Sequence, residues 1–181
     1  MKENYDKFLS KIPRESYILD FGCGSGRDSK YFIENGYKVK AIDGSIEMCK
    51  LASEYINKDV ECMKFDELNE ENTYDAIWAC SSILHVEKEE LPNILNKMIR
   101  ALKLNGVIFT AFKKGEGYEI KENITGRNMR KDDRIVWQKG IYHQGADVCI
   151  INSEKRNLIY EKIRKMCLSD EFKSYIMYIM I

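Results

Sequence analysis

Three glycines within five positions, Gly22, Gly24 and Gly26, follow the apolar run at residues 17–21, and an aspartate, Asp43, comes about twenty residues later. Glycine lets the backbone approach a ligand without a Cβ in the way. A carboxylate at that distance, at the end of a second strand, accepts hydrogen bonds from both hydroxyls of a ribose. The pair therefore predicts a ribose-bearing ligand lying over residues 22–26, with Cys23 inside the loop and Gly44 beside the carboxylate. The plainer alternative is a tight turn and a surface aspartate.

Such a site needs a strand before the glycines, a helix after them and a second strand ending at Asp43. "YILDF" has the apolar character of a buried strand, and a helix from about Arg27 would end at Gly36 in a left-handed cap. "YKVKAID" alternates like a second strand, and Ser45 is placed to cap the helix carrying Met48, Leu51 and Tyr55. "VECMKF" is a weaker third strand and "YDAIWAC" a fourth. The clearest amphipathic stripe is Leu91, Ile94, Leu95, Met98, Ile99 and Leu102, predicting a helix over about 89–103 that Asn105-Gly106 breaks before the strand "VIFTAF". Tyr5, Phe8, Leu9 and Ile12 predict a short helix ahead of Pro13, read either as packing on the sheet or as a lid. Strands alternating with helices predict a three-layer α/β, Rossmann-like fold with a mostly parallel sheet.

A dinucleotide fingerprint would place its third glycine where Arg27 stands, which disfavours a nicotinamide-dependent oxidoreductase. Instead "LDFGCGSGRDS" resembles the first motif of class I S-adenosylmethionine-dependent methyltransferases. "AIDGS", "FDEL", "YDAIWACSSILHV" and "LPNILNKMIRALKLNGVIFTAFKKG" continue the resemblance in order, over about residues 17–115. Within that class the chain is most similar to small-molecule methyltransferases of the tellurite-resistance-like group.

The resemblance implies a seven-stranded sheet ending in an antiparallel hairpin and S-adenosyl-L-methionine as cofactor. It implies that Asp20, Gly22, Gly24 and Gly26 surround the methionine portion, with Asp20 helping to hold the ammonium. Asp43 would take the ribose, Asp66 the adenine, and Phe65 would lie against the ring. Ala79, Cys80 and His85 would border the sulfonium and the acceptor, with His85 either a base or a helix-capping histidine. The implied reaction is an in-line methyl transfer to a small molecule or an inorganic anion, in which positioning outweighs acid–base chemistry. Lys113 and Lys114 would meet an anionic acceptor. A catalytically silent cofactor-binding protein is the remaining alternative.

The rest of the composition narrows the classes further. The chain has 181 residues, enough for one domain, with a cofactor-binding core over 1–115 and a divergent region over 116–181. Twenty-nine Lys and Arg balance 29 Asp and Glu, so there is no overall basic field for nucleic acid. Six scattered cysteines without a CxxC pair predict a reduced, cytoplasmic protein without a structural metal. No apolar run is long enough to span a membrane. Residues 114–133 read as a polar loop, with Glu116–Tyr118 a candidate part of the lid, and Tyr142 and His143 stay unassigned. The divergent end predicts either a hairpin formed by another route or an incomplete sheet edge that drives dimerisation.

Overall fold

The computed structural model describes residues 1–87 and 89–111, together with the backbone of four later strands. The elements in order are α1 (Lys2–Leu9), β1 (Tyr17–Phe21), α2 (Arg27–Glu34), β2 (Lys38–Asp43), α3 (Ile46–Ile56), β3 (Glu61–Cys62), β4 (Tyr74–Cys80), α4 (Leu91–Ala101) and β5 (Leu102–Ala111). They are followed by β6 (Glu119–Ile120), β7 (Val136–Trp137), β8 (Ala146–Ile150) and β9 (Ile176–Met180). Single 3-10 turns cover Phe65–Glu67 and Ile83–His85.

The main sheet has the strand order β3-β2-β1-β4-β5-β9-β8, with β6 and β7 forming a separate pair. Strands β1 to β5 are parallel, which places all their carboxyl ends along one edge. The order reverses beside β1, where an open α/β sheet leaves its ligand crevice. The expected final hairpin is corrected. Strand β9 runs antiparallel to β5, but β8 pairs with β9 in parallel. Two residues suffice for a hairpin turn, whereas a parallel pair needs a crossover of a dozen or more; the chain between Ile150 and Ile176 is long enough for one. With seven strands present the sheet is not shortened at this edge, so the premise for edge-driven dimerisation is not met.

Strand alternation divides the core in two. Leu19, Phe21, Ile77, Ala79 and Ile108 face α4, whose Leu91, Ile94, Leu95, Met98 and Ile99 form the predicted stripe. Ile18, Trp78, Val107 and Phe109 face the other way, against Tyr5, Phe8 and Phe32. Trp78 stacks on Phe109 at 3.8 Å between ring centroids, and Phe8 meets Trp78 at 4.9 Å. Tyr5 and Phe8 are thus buried in the core beneath α1, as the packing reading expected and the lid reading did not.

Helix α4 ends two residues earlier than its apolar stripe implies. Leu102 is already extended and pairs with Tyr74, while Val107 pairs with Ala76, so residues 103–106 bulge from the strand. The carbonyls of Arg100 and Ala101, left over at the helix end, accept from the amides of Asn72 and Thr73. Those bonds stop the helix where the preceding loop can reach it.

One buried carboxylate joins the layers. Asp28, in the first turn of α2, accepts from the Tyr5 hydroxyl at 2.6 Å, the Arg27 Nε at 2.6 Å and the Trp78 Nε1 at 2.8 Å. Replacing it with alanine strands two buried donors, and a buried donor without a partner costs about 1–3 kcal/mol. Asp28→Ala is therefore expected to lower the unfolding free energy by about 2–4 kcal/mol in urea titrations, and Tyr5→Phe by about 1 kcal/mol.

Candidate functional site

The glycine loop lies at the carboxyl end of β1 and is tied to β2, since the amides of Gly22 and Cys23 both donate to the Ile42 carbonyl. Gly22 has φ +87°, and a Cβ there would fall 2.4 Å from the Ser82 Cβ and 3.2 Å from the Phe65 ring. Gly26 has φ +82°, and its Cβ would press on Ile56 and Ala52 of α3. These two glycines are required by close packing. Gly24 differs: its φ is +54°, and nothing lies within 4 Å of where its Cβ would be. The backbone at Gly24 therefore faces open space, bounded behind by Gly22 and Gly26.

Asp43 ends β2 beside that space and is partly exposed. Its Oδ2 accepts from the Gly24 amide at 2.8 Å and its Oδ1 from the Ser45 amide at 2.9 Å. A carboxylate has about four lone-pair sites, so each oxygen retains one for a ribose hydroxyl. Gly44 is exposed next to it with open space at its Cβ position. Ser45 then caps α3 as its sequence position predicts, with its hydroxyl accepting from the Met48 amide.

Asp20 is 2% exposed and turned toward α2, where its Oδ2 accepts from the Ser29 hydroxyl at 2.6 Å. Burial dominates its titration and pushes it up to about 7, against the opposing hydrogen bonds from the Ser29 hydroxyl and amide. It sits behind the loop as a support for the first turn of α2. Cys23 is buried, and its thiol donates to the Gly24 carbonyl at 3.7 Å. Burial followed by the charges of Asp20 and Asp43 raises it well above the ordinary thiol range.

Phe65 is half-buried against Phe21 at 4.7 Å and reaches the back of Gly22, while Asp66 on the same 3-10 turn is exposed. Both line a cavity of about 310 Å³ that includes His85, Lys64, Glu87 and Glu90. The structure thus gathers His85 with the residues expected at the adenine. Ala79 is wholly buried in the core facing α4, because alternation sends it to the same side as Ile77. Cys80 ends β4, and burial pushes its thiol up to about 11, leaving it protonated at neutral pH. Among the described residues no group of His, Cys, Asp or Glu is arranged to hold a metal. Lys113, Lys114, Glu116–Tyr118, Tyr142 and His143 lie outside the described residues.

Two features were missed from sequence. Ser82 is 6% exposed, and its Oγ has no hydrogen-bond partner among the described residues. It follows Ser81, a non-glycine residue with φ +56°, and stands directly over Gly22. The other feature is the Arg27–Asp28 pair, which a linear motif presents as two charges that follow the loop.

These features fit a nucleoside sulfonium: a bare backbone over open space at Gly24, a carboxylate with free lone pairs at Asp43, and an unpaired buried hydroxyl at Ser82. Comparison with known proteins points the same way. Residues 18–106 match the sequence profile of the family described as "Methyltransferase domain". A malonyl-[acyl-carrier protein] O-methyltransferase of Salmonella typhimurium is 29% identical over 58% of this chain and 42% of its own length. An N-terminal Xaa-Pro-Lys N-methyltransferase 1 of Xenopus tropicalis is 29% identical over 70% of this chain and 59% of its own. Among solved structures, the PH0226 protein of Pyrococcus horikoshii OT3 superposes with TM-score 0.58 at 27% identity, covering 62% of this chain and 55% of that one. Residues 18–106, just under half of the chain, thus match a methyltransferase domain in sequence profile, and the sheet shares the fold of solved S-adenosylmethionine-dependent methyltransferases. The chain spans between about two fifths and three fifths of the length of these curated relatives.

Three outcomes follow from this geometry. In the folded chain Asp20 keeps its proton to about pH 7, whereas its ordinary value is 3.8, so folding takes up a proton between the two. Stability therefore falls as pH rises across that window, and Asp20→Asn should remove about 3 kcal/mol of the drop, read by comparing denaturant midpoints at pH 4.5 and 7.5. Gly22→Ala should destabilise by at least about 2 kcal/mol in the same measurement, through its positive φ and its collision with Ser82. Gly24→Ala meets only the dihedral cost, about 1 kcal/mol.

Proposed function

We propose that this protein transfers a methyl group from S-adenosylmethionine to a small-molecule or inorganic anionic acceptor, in the manner of the tellurite-resistance-like group that its motifs resemble. The observation that carries the reading is the Gly24–Asp43 bond, which sets a carboxylate with spare lone pairs beside open backbone at the carboxyl edge of the sheet. Asp43 binds the ribose, Phe65 and Asp66 the adenine, and Gly22–Gly26 the methionine portion, with Asp20 holding the loop in shape from behind. When bound, the cofactor supplies a methyl group already activated by its sulfonium.

The side chains then have little bond chemistry to perform, and most of the acceleration comes from holding the reactants in line and excluding water. Ser82, over Gly22, donates to or accepts from whatever enters the crevice. Cys80 stays a neutral thiol and acts as packing at the end of β4. His85 shares the cavity of Phe65 and Asp66, a position that supports a part in holding the adenine end rather than one as a base at the acceptor. The two curated relatives named above methylate, by their names, an oxygen in one case and a protein amino terminus in the other, so the fold admits several acceptors.

Calorimetric titration of the full chain with S-adenosylmethionine, S-adenosylhomocysteine and NADH tests the reading. The two sulfur ligands should bind and NADH should not, and Asp43→Ala should weaken both by more than about tenfold, roughly 1.4 kcal/mol. Binding of NADH alone, or of none of the three by folded protein, would falsify it. Binding without turnover on thiol, selenite and tellurite acceptors would instead favour the silent cofactor-binding protein.

A further inference from the structure

Two free cysteines meet where α3 packs against the end of the sheet. Cys49 lies on the buried side of α3 with Ala52 and Ile56, one and two turns further on. Its thiol donates to the Asp43 carbonyl at 3.2 Å and lies 3.7 Å from the Glu61 carbonyl. The second of these belongs to the peptide unit that leads into Cys62. Cys62 is the last residue of β3, and β3 is the outermost strand of the sheet, beyond β2. Cys49 is 5% exposed, whereas Cys62 is open to solvent.

Strand alternation puts the two side chains on the same face. Ala41 packs with Ala52 and Ile56 of α3, so Asp43, two residues on, turns to that face as well. Asp43 and Cys62 are register partners in parallel strands, and such partners share a face. Met63 faces the opposite way, in the core cluster that includes α4. Cys62 therefore points to the side on which Cys49 sits, and a disulfide requires facing side chains on neighbouring backbones. The titration of Cys49 agrees with this contact. Burial first, and then the hydrogen bond and charge of the neighbouring Cys62, push its thiol up to about 11.

We propose that Cys49 and Cys62 are an oxidisable dithiol that closes to a disulfide by exchange with a low-molecular-weight disulfide such as oxidised glutathione. Cys62 attacks first, as its thiolate, because it alone of the pair is open to solvent. The S–S bond of the reagent breaks, one glutathione leaves as a thiolate, and a mixed disulfide remains on Cys62. That sulfur no longer carries a charge, so one of the influences that hold the proton on Cys49 is gone. Cys49 then loses its proton and attacks the Cys62 sulfur, expelling the second glutathione thiolate. Two protein thiols are oxidised, one disulfide is reduced to two thiols, and the two cysteine protons end on the two glutathiones. Closure ties α3 to β3 and removes the thiol donor from the Asp43 carbonyl, which keeps the amide of Met63. The proposal stands without any bound cofactor, since the two thiols and the carbonyls beside them define the site.

Peptide mass mapping of the full chain, incubated in native buffer with oxidised glutathione and then blocked at its remaining thiols, tests the assignment. Trypsin releases Cys49 in the peptide 41–50 and Cys62 in the peptide 59–64. These two should appear linked, two hydrogens lighter than the separate peptides, and should part again on treatment with dithiothreitol. Cys49→Ser should stop at the mixed disulfide, with one glutathione on Cys62. In Cys62→Ser, the buried Cys49 should react at least about tenfold more slowly than Cys62 does in the parent protein. A parent protein that keeps glutathione on Cys62 without joining the two peptides overturns the proposal. So does a link that forms only in urea, where the chain no longer holds α3 against β3.

Discussion

A carboxylate taken out of water must be matched by donors, and at Asp28 three donors from different parts of the chain converge on one side chain. Tyr5 comes from the first helix, Trp78 from the central strand β4 and Arg27 from the neighbouring position in α2. Because Asp28 accepts from all three, α1 is fastened over the aromatic cluster of Phe8, Phe32, Trp78 and Phe109 and α2 is held to the sheet. The first turn of α2 also receives the glycine loop. The loop's position is thus set from below by Asp28 and Asp20, and from β2 by the Ile42 carbonyl and the Asp43 carboxylate.

This division of labour explains why four acidic residues near one site behave differently. Asp20 and Asp28 are buried and serve the scaffold, and burial moves Asp20 toward neutrality. Asp43 and Asp66 are in contact with solvent and remain open to a ligand. The same contrast applies to the glycines. Gly22 and Gly26 have neighbours pressed against the place a Cβ would take, while Gly24 has none, so the outer positions of the motif are closed to a side chain by packing and the middle one is not. A close-packed interior tolerates no extra methyl group where backbone and side chain already touch.

The cavity beside Phe65 and Asp66 changes the reading of His85. In the linear motif, His85 follows the end of β4, five positions after Cys80. The 3-10 turn at Ile83–His85 folds the chain back, and His85 lines the space between that turn, the turn at Phe65–Glu67 and the start of α4. Ala79 moves the other way, into the core, for the simple reason that strand residues alternate sides. His85 thus stands beside Phe65 and Asp66 in one cavity, a neighbour relation that the linear motif does not display.

Periodicity and turn chemistry are local, so the sequence alone determined the five parallel strands, the helices between them, the Ser45 cap and the Gly22–Asp43 relation. It also carried the methyltransferase resemblance, since the glycines, the strand-end acid and the later motifs occur in a fixed order. The length of α4 was misread because its stopping signal is a pair of amides from Asn72 and Thr73, far away in sequence. The parallel pairing of β8 with β9 was likewise hidden, as no local pattern encodes a partner strand. Only tertiary structure decided which acids face solvent, that Ser82 stands over Gly22, and that Arg27 is braced by Asp28. Those outcomes depend on burial and on contacts between residues up to sixty positions apart, and burial is a property of the packed layers that no single segment contains.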